Sequence, residues 1–202
     1  MSPFSVVTGV AAPLAAANVD TDVIMPKQFL KGVDRAGLRD GTFNGLRFTP
    51  EGDERPDFIL NQPAWRAAKF LVVGPNFGCG SSREHAVWGL GQLGIRALIG
   101  TSFAGIFYDN CGNNGLLALT LDGAVVERLM RLAGDPATNG LTIDLEAQTI
   151  TPSAGAAIAF EIDPGSKSAL LQGLDAVGVT LRERDAIARF ETAYLSENPW
   201  LS

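Results

Sequence analysis

The pattern of apolar and polar positions changes character at residue 69. "KFLVVG" (69–74) is a short, nearly unbroken apolar run, as expected of a strand buried on both faces. Beyond a glycine-rich stretch, Ala86, Val87, Leu90 and Leu93 recur at helical spacing. "IRALIG" (95–100) then predicts a second buried strand. Strand, loop, helix and strand within about thirty residues make a βαβ unit. "GLLALTL" (115–121) predicts a third strand, and "GAVVERLMRLAG" (123–134) a helix with Val125, Val126, Leu129 and Leu132 along one side.

The flanks are less regular. Residues 141–163 alternate like strands with turn breaks, which predicts a hairpin or meander. Asp163 before Pro164 is a helix start, a cap followed by proline in the first turn. Thr180 and Glu183 have capping-box spacing ahead of a helix carrying Leu181, Ile187, Phe190 and Tyr194. Near the N-terminus, Gly32, Gly37, Gly41 and Gly45 would interrupt any helix, so about 31–45 is expected to be an exposed, mobile loop. "RPDFILNQPAW" (55–65) is a second break. The pattern as a whole predicts an α/β protein with a central parallel βαβ unit, β-rich flanks and a C-terminal helix.

Composition narrows the function classes. A chain of 202 residues builds one substantial core, and 46% hydrophobic with 19% charged residues is the balance of a folded protein. A net charge of −6 argues against binding a nucleic-acid backbone. The apolar runs are too short and too often broken by charge for a membrane span. The N-terminal residues lack the basic opening of a secretory signal, so a cytoplasmic location is expected. Cys79 and Cys111 read as reduced thiols, and two cysteines with one histidine make a poor metal site.

The chemistry concentrates in "GCGSSREH" (78–85), between the first buried strand and the helix that follows it. Two readings fit these residues. Ser81 and Glu84 have S-x-x-E spacing, so Ser81 would simply cap the helix. Alternatively, the helix start presents unpaired N–H groups and the positive end of its dipole to an anion, and Arg83 adds a fork that grips a carboxylate. The motif is neither a P-loop nor a dinucleotide loop nor a nucleophile elbow. His85 falls one turn into the helix and reads as a supporting histidine or a general base, while Cys79 reads as a small packing neighbour.

"GCGSSREHAVWGL" (78–90), with "NVDTDVIMPKQFLK" (18–31) and "SFAGIFYDNCGNNGLLAL" (102–119), resembles the small subunit of 3-isopropylmalate dehydratase, in the aconitase superfamily. "LLQGLDAVGVTL" (170–181) and "FETAYLSENPWL" (190–201) extend the resemblance over nearly the whole chain. It implies a single swivelling β/β/α domain over residues 1–202, with a C-terminal helical extension at about 180–202. It further implies a large-subunit partner that carries a [4Fe–4S] cluster, none being bound by this chain alone. The implied reaction interconverts 2-isopropylmalate and 3-isopropylmalate through isopropylmaleate, in leucine biosynthesis.

By position, the resemblance makes Ser81 the catalytic base with Arg83 beside it, and Gly80, Ser82 and Arg83 the holders of a substrate carboxylate. Residues 27–38, with Lys27, Gln28, Phe29, Leu30 and Lys31, correspond to the loop that meets the substrate's side chain. Asp20, Thr21, Asp22 and His85 would support these groups from behind. Val23, Val87, Gly105, Gly112 and Asn113 depart from the family pattern, away from Ser81, Ser82 and Arg83. Related dehydratases of citramalate, homoaconitate or dimethylmaleate share the chemistry. Leu30, Val33 and Gly32 favour a small apolar group, whereas Lys31 and Arg35 favour a further carboxylate. A non-catalytic carboxylate-binding module is the remaining alternative.

Overall fold

A computed structural model describes residues 1–30 and 35–201. The predicted parallel centre forms as β2 (Ala68–Val73), β3 (Ala97–Gly100) and β4 (Leu117–Thr120), joined by α4 (Glu84–Leu93) and α5 (Gly105–Asn113). Alternation sorts the side chains of these strands between two cores. Leu71, Val73 and Leu98 face a cluster with Ala86, Val87, Leu90, Phe107 and Cys111 of the two helices. Phe70, Val72 and Ile99 face a second cluster with Val126, Leu129 and Ala133 of α6 (Gly123–Ala133). Both faces are therefore covered, which is why these strands read as continuous apolar runs.

The strand that completes the centre is β1 (Val6–Leu14), which the apolar pattern does not announce. It runs parallel to β2 and antiparallel to β5 (Gly140–Asp144), joining the parallel half of the sheet to the antiparallel half. Among the described residues the sheet has seven strands in the order β4-β3-β2-β1-β5-β6-β7, with β6 at Thr149–Pro152 and β7 at Ile158–Ala159. Pro13 sits in β1 without breaking a ladder. The Ala11 N–H donates toward the β5 side, to the Asn139 carbonyl at 2.8 Å. Two residues on, Pro13 turns its nitrogen to that same side, beyond the Val10–Gly140 pair where β5 ends. On the exposed face of the sheet, Thr8 and Thr142 join their hydroxyls across β1 and β5 at 2.9 Å.

The segment expected to be an exposed loop is partly core. Among its described residues it holds two single turns, α2 (Leu38–Gly41) and α3 (Asn44–Arg47), and buries Leu38 and Phe43. Two large apolar anchors outweigh the unfavourable propensity of the glycines. Gly41 is there because the Phe29 ring lies against it, where a Cβ would come within 2.6 Å of Phe29 Cγ. Buried Arg47 ties the turns together, Nη1 donating to the carbonyls of Arg39 (2.8 Å) and Thr42 (3.2 Å). Its burial lowers the guanidinium pKa from the ordinary arginine value. Lys31, Gly32 and Val33 lie outside the described residues.

At the C-terminal end, Asp163 caps α7 (Pro164–Gln172) as predicted, accepting from the Ser166 N–H at 2.8 Å. The expected capping box at Thr180 does not form. Asp175 caps a separate helix, α8 (Ala176–Leu181), by accepting from the Gly178 N–H at 2.7 Å. Thr180 then lies inside α8 and donates its hydroxyl to the Ala176 carbonyl at 3.0 Å. The carboxylate cap, directly after the left-handed Gly173 and Leu174, starts the helix before Thr180 is reached. The next helix, α9 (Arg184–Glu197), begins without a side-chain cap. Among the described residues no helix is long and apolar enough to cross a membrane.

Candidate active site

Parallel strands deliver their following loops to one edge of the sheet, and the crevice at that edge is where such sheets bind ligands. Here the pairing continues beyond the strands. Single bridges join Asp20 to Cys79 and Phe77 to Phe103. Gly78 N–H donates to the Val19 carbonyl (2.8 Å), Thr21 N–H to the Cys79 carbonyl (2.8 Å) and Ala104 N–H to the Phe77 carbonyl (3.1 Å). The loops after β1, β2 and β3 are thus held together by backbone, and side chains add to this: Asn76 donates its Nδ2 to Asn18 Oδ1 and its N–H to Ser102 Oγ, both at 2.8 Å.

Gly78 makes this approach possible. Its φ is +77°, and a Cβ there would lie 2.2 Å from Phe107 Cγ on α5. We expect Gly78→Ala to lower stability by on the order of 3 kcal/mol, combining left-handed strain with overpacking. Denaturant unfolding of the purified chain measures this. An unaltered midpoint would show that the loop tolerates a side chain there.

The cleft so formed has a volume of about 130 Å³. Thr21, Gly80, Ser81, Ser82 and Arg83 line one side, and Ala104, Gly105, Ile106, Phe107 and Asn110 the other. Ser81 and Ser82 are exposed. Ser81 is not the helix cap, since α4 opens only at Glu84 and its N-cap position is Arg83, in extended conformation. Thr21 Oγ1 donates to the Ser81 carbonyl at 2.8 Å, pinning that residue to α1 (Thr21–Ile24) before the helix can begin. Among the described residues Ser81 Oγ has no protein partner.

The segment 20–22 divides its labour. Asp20 caps α1 by accepting from the Val23 N–H at 2.8 Å. Thr21 holds the Ser81 carbonyl. Asp22, half-exposed, accepts from Arg83 Nη1 in an ion pair. Arg83 is itself only 19% exposed, so its guanidinium is oriented by this pair instead of wandering in solvent.

The two helices that begin at the cleft share a further trait. Neither α4 nor α5 has a side-chain cap, their N-cap residues being Arg83 and Ala104. Elsewhere, α1, α6, α7 and α8 are capped by Asp20, Asp122, Asp163 and Asp175, while the single turns α2 and α3 and the helix α9 are uncapped as well. Two helix starts whose first N–H groups have no side-chain cap, beside a guanidinium, form a setting that favours a bound anion, although Glu84 stands in the first turn of α4.

Other residues singled out by sequence lie elsewhere. His85 packs its ring against Trp88 at 4.6 Å and does not line the cleft. Lys27 and Gln28 are exposed on a single 3-10 turn, while Phe29 and Leu30 are half-buried against the core. None of these four lines the cleft, and Lys31 lies outside the described residues. Arg35 lays its guanidinium over Trp88, 4.4 Å from the ring centre. Cys79 and Cys111 are free, and burial pushes the Cys111 thiol pKa well above its ordinary value. Among the described residues no three His, Cys, Asp or Glu side chains group as metal ligands.

The facing wall of α5 is what motif reading missed. The available signal was positional: "IRALIG" is a strand parallel to "KFLVVG", so "TSFAG" after it must enter the same crevice.

Comparison with known proteins identifies the family. Residues 1–124 match the family model of the aconitase C-terminal domain, and residues 177–202 match that of the C-terminal domain of the 3-isopropylmalate dehydratase small subunit. The chain is 57% identical to 3-isopropylmalate dehydratase small subunit 1 of Mannheimia succiniciproducens, covering 100% of this chain and 99% of that one. It is 51% identical to the small subunit from Paramagnetospirillum magneticum, over 100% of both. Among solved structures, 3-isopropylmalate dehydratase of Methanocaldococcus jannaschii superposes with a TM-score of 0.67 at 29% identity, covering 92% of this chain and 99% of that one. The α/β architecture with its mixed seven-stranded sheet is thus of the aconitase type. With matches of this length and identity, the chain belongs to the 3-isopropylmalate dehydratase small-subunit family of the aconitase superfamily.

Proposed function

We propose that this protein, with a large subunit, interconverts 2-isopropylmalate and 3-isopropylmalate by dehydration to isopropylmaleate and rehydration, in the cytoplasm, for leucine biosynthesis. The observation that carries this reading is the convergence of Ser81, Ser82 and Arg83 on one cleft between two helix starts that lack carboxylate caps. In the dehydration, Ser81 takes the proton from the carbon next to a carboxylate, and the hydroxyl leaves from the neighbouring carbon. A serine is a weak base, so its anionic form needs preorganised N–H donors and nearby positive charge. Arg83 and the start of α4 supply these. Ser82, Arg83 and the Gly80 backbone hold the carboxylate, Arg83 through its fork. Recognition of the substrate's side chain is assigned to Lys27, Gln28, Phe29, Leu30 and Lys31, by their place in the sequence.

The departing hydroxyl calls for a Lewis acid, which a [4Fe–4S] cluster provides when bound. Such clusters are held by several thiolates, and this chain has two cysteines, one of them fully buried with a raised pKa. The cluster is therefore assigned to the large subunit, and this chain's share is the proton acceptor and the anion grip.

The test is reconstitution with the purified large subunit and an absorbance assay over 2-isopropylmalate, citramalate, homoaconitate and dimethylmaleate. Isopropylmalate is expected to show the highest kcat/KM, with no turnover by either chain alone. Preference for another substrate of the panel would reassign the specificity. Turnover without the partner would refute the division of labour.

A further inference from the structure

We propose that α8, α9 and residues 198–201 form an arm that binds the large subunit, through the apolar face of α9 and the groove beneath α8. The proposal rests on the small-subunit reading above and adds to it the surface that does the holding.

The arm's composition does not suit water. No residue of α8 or α9 is buried, yet Ile187, Phe190 and Tyr194 are 37%, 65% and 45% exposed and Trp200 75%. Their spacing at 187, 190 and 194 puts one apolar stripe on α9, with the rings of Phe190 and Tyr194 stacked at 5.5 Å. Arg189, Thr192 and Ser196 occupy the opposite side. Nine of the fifteen exposed large apolar side chains among the described residues lie between 177 and 201, so the apolar surface is concentrated here. Such a patch marks an interaction site. A 14-residue helix without tertiary support is also marginal in water, so a partner is needed to hold it.

The place of the arm identifies the occupant. One side of α5 lines the cleft with Ile106 and Asn110, and another lines the groove with Tyr108 and Asn113, which Val179 of α8 also lines. The protein that brings the missing Lewis acid must close over the cleft, where Ile106 is 60% exposed. Between the cleft and the arm stand Tyr108 of α5 and Val179 of α8, 39% and 45% exposed, and α9 follows α8 after two residues. The cleft itself is small and rimmed by Ser81, Ser82 and Arg83, and offers little of the apolar core that a stable interface requires. The arm supplies it. A second copy of this chain would have no comparable reason to adjoin the cleft.

The experiment measures binding of the purified large subunit to the full-length chain by calorimetry, for wild type, Phe190→Ala/Tyr194→Ala and Arg189→Ala. Truncating two buried aromatic anchors is expected to raise Kd at least ~30-fold, whereas Arg189→Ala leaves it unchanged. The unfolding midpoint of the isolated variants stays at the wild-type value, because the arm touches no core. At saturating large subunit, kcat stays within about twofold of wild type. Trypsin cuts at Arg184 and Arg189 in the free chain and is blocked in the complex. Unchanged Kd for the double variant would overturn the proposal, and so would self-association of the isolated chain that the double variant abolishes. A wild-type complex that assembles but dehydrates no malate would refute the assigned reaction and leave the arm standing.

Discussion

Ser81→Ala in the reconstituted enzyme is expected to lower kcat by about 10²–10⁴-fold, the range for a positioned acid–base group. The structure makes this a clean substitution. Ser81 Oγ has no partner among the described residues, and the residue is positioned through its carbonyl, which accepts from Thr21 Oγ1 at 2.8 Å. Alanine keeps that carbonyl and the bend on either side of it. The helix start is untouched as well, because α4 takes its N-cap from Arg83 and not from Ser81. A loss of kcat with an unchanged unfolding midpoint and unchanged affinity for the large subunit would therefore report chemistry alone. Normal turnover would assign the hydroxyl to solvation.

Arg83→Lys is expected to raise KM by about 10²-fold, the cost of losing a bidentate, charge-assisted grip. Asp22 already takes Arg83 Nη1. A guanidinium has five N–H donors, so it can hold Asp22 and still present a fork to a substrate carboxylate. A lysine ammonium carries the same charge on a single atom. Drawn toward Asp22 it leaves the substrate, and drawn toward the substrate it leaves Asp22 unpaired beside the cleft. Initial rates across a wide range of substrate concentration separate KM from kcat. An unchanged KM would place Arg83 outside the substrate site.

How much of this was legible before folding differs by residue. Phe70 to Val73 announce a buried strand because both faces of the sheet are covered, so every position selects for apolar side chains. β1 is equally central but mixes Thr8, Gly9 and Pro13 into its run. Its place depends on where β5 ends, and nothing local records that. The four glycines at 32, 37, 41 and 45 suggested exposure, but Phe43 and Leu38 decided the matter for the described part of that segment by finding a core to enter. Thr180 and Glu183 had the spacing of a cap, and lost to Asp175, which starts the helix first.

The βαβ centre and the polar residues between β2 and α4 can be read from the chain alone, because apolar periodicity and a short glycine-rich loop are local properties. What those residues face depends on folding. Ser81 is released from capping by Thr21, 60 residues away, and Arg83 is aimed by Asp22, 61 residues away. The wall opposite them comes from α5, brought there by the parallel pairing of β2 and β3. Such contacts follow from strand order and register, which long-range packing sets and no stretch of chain carries alone.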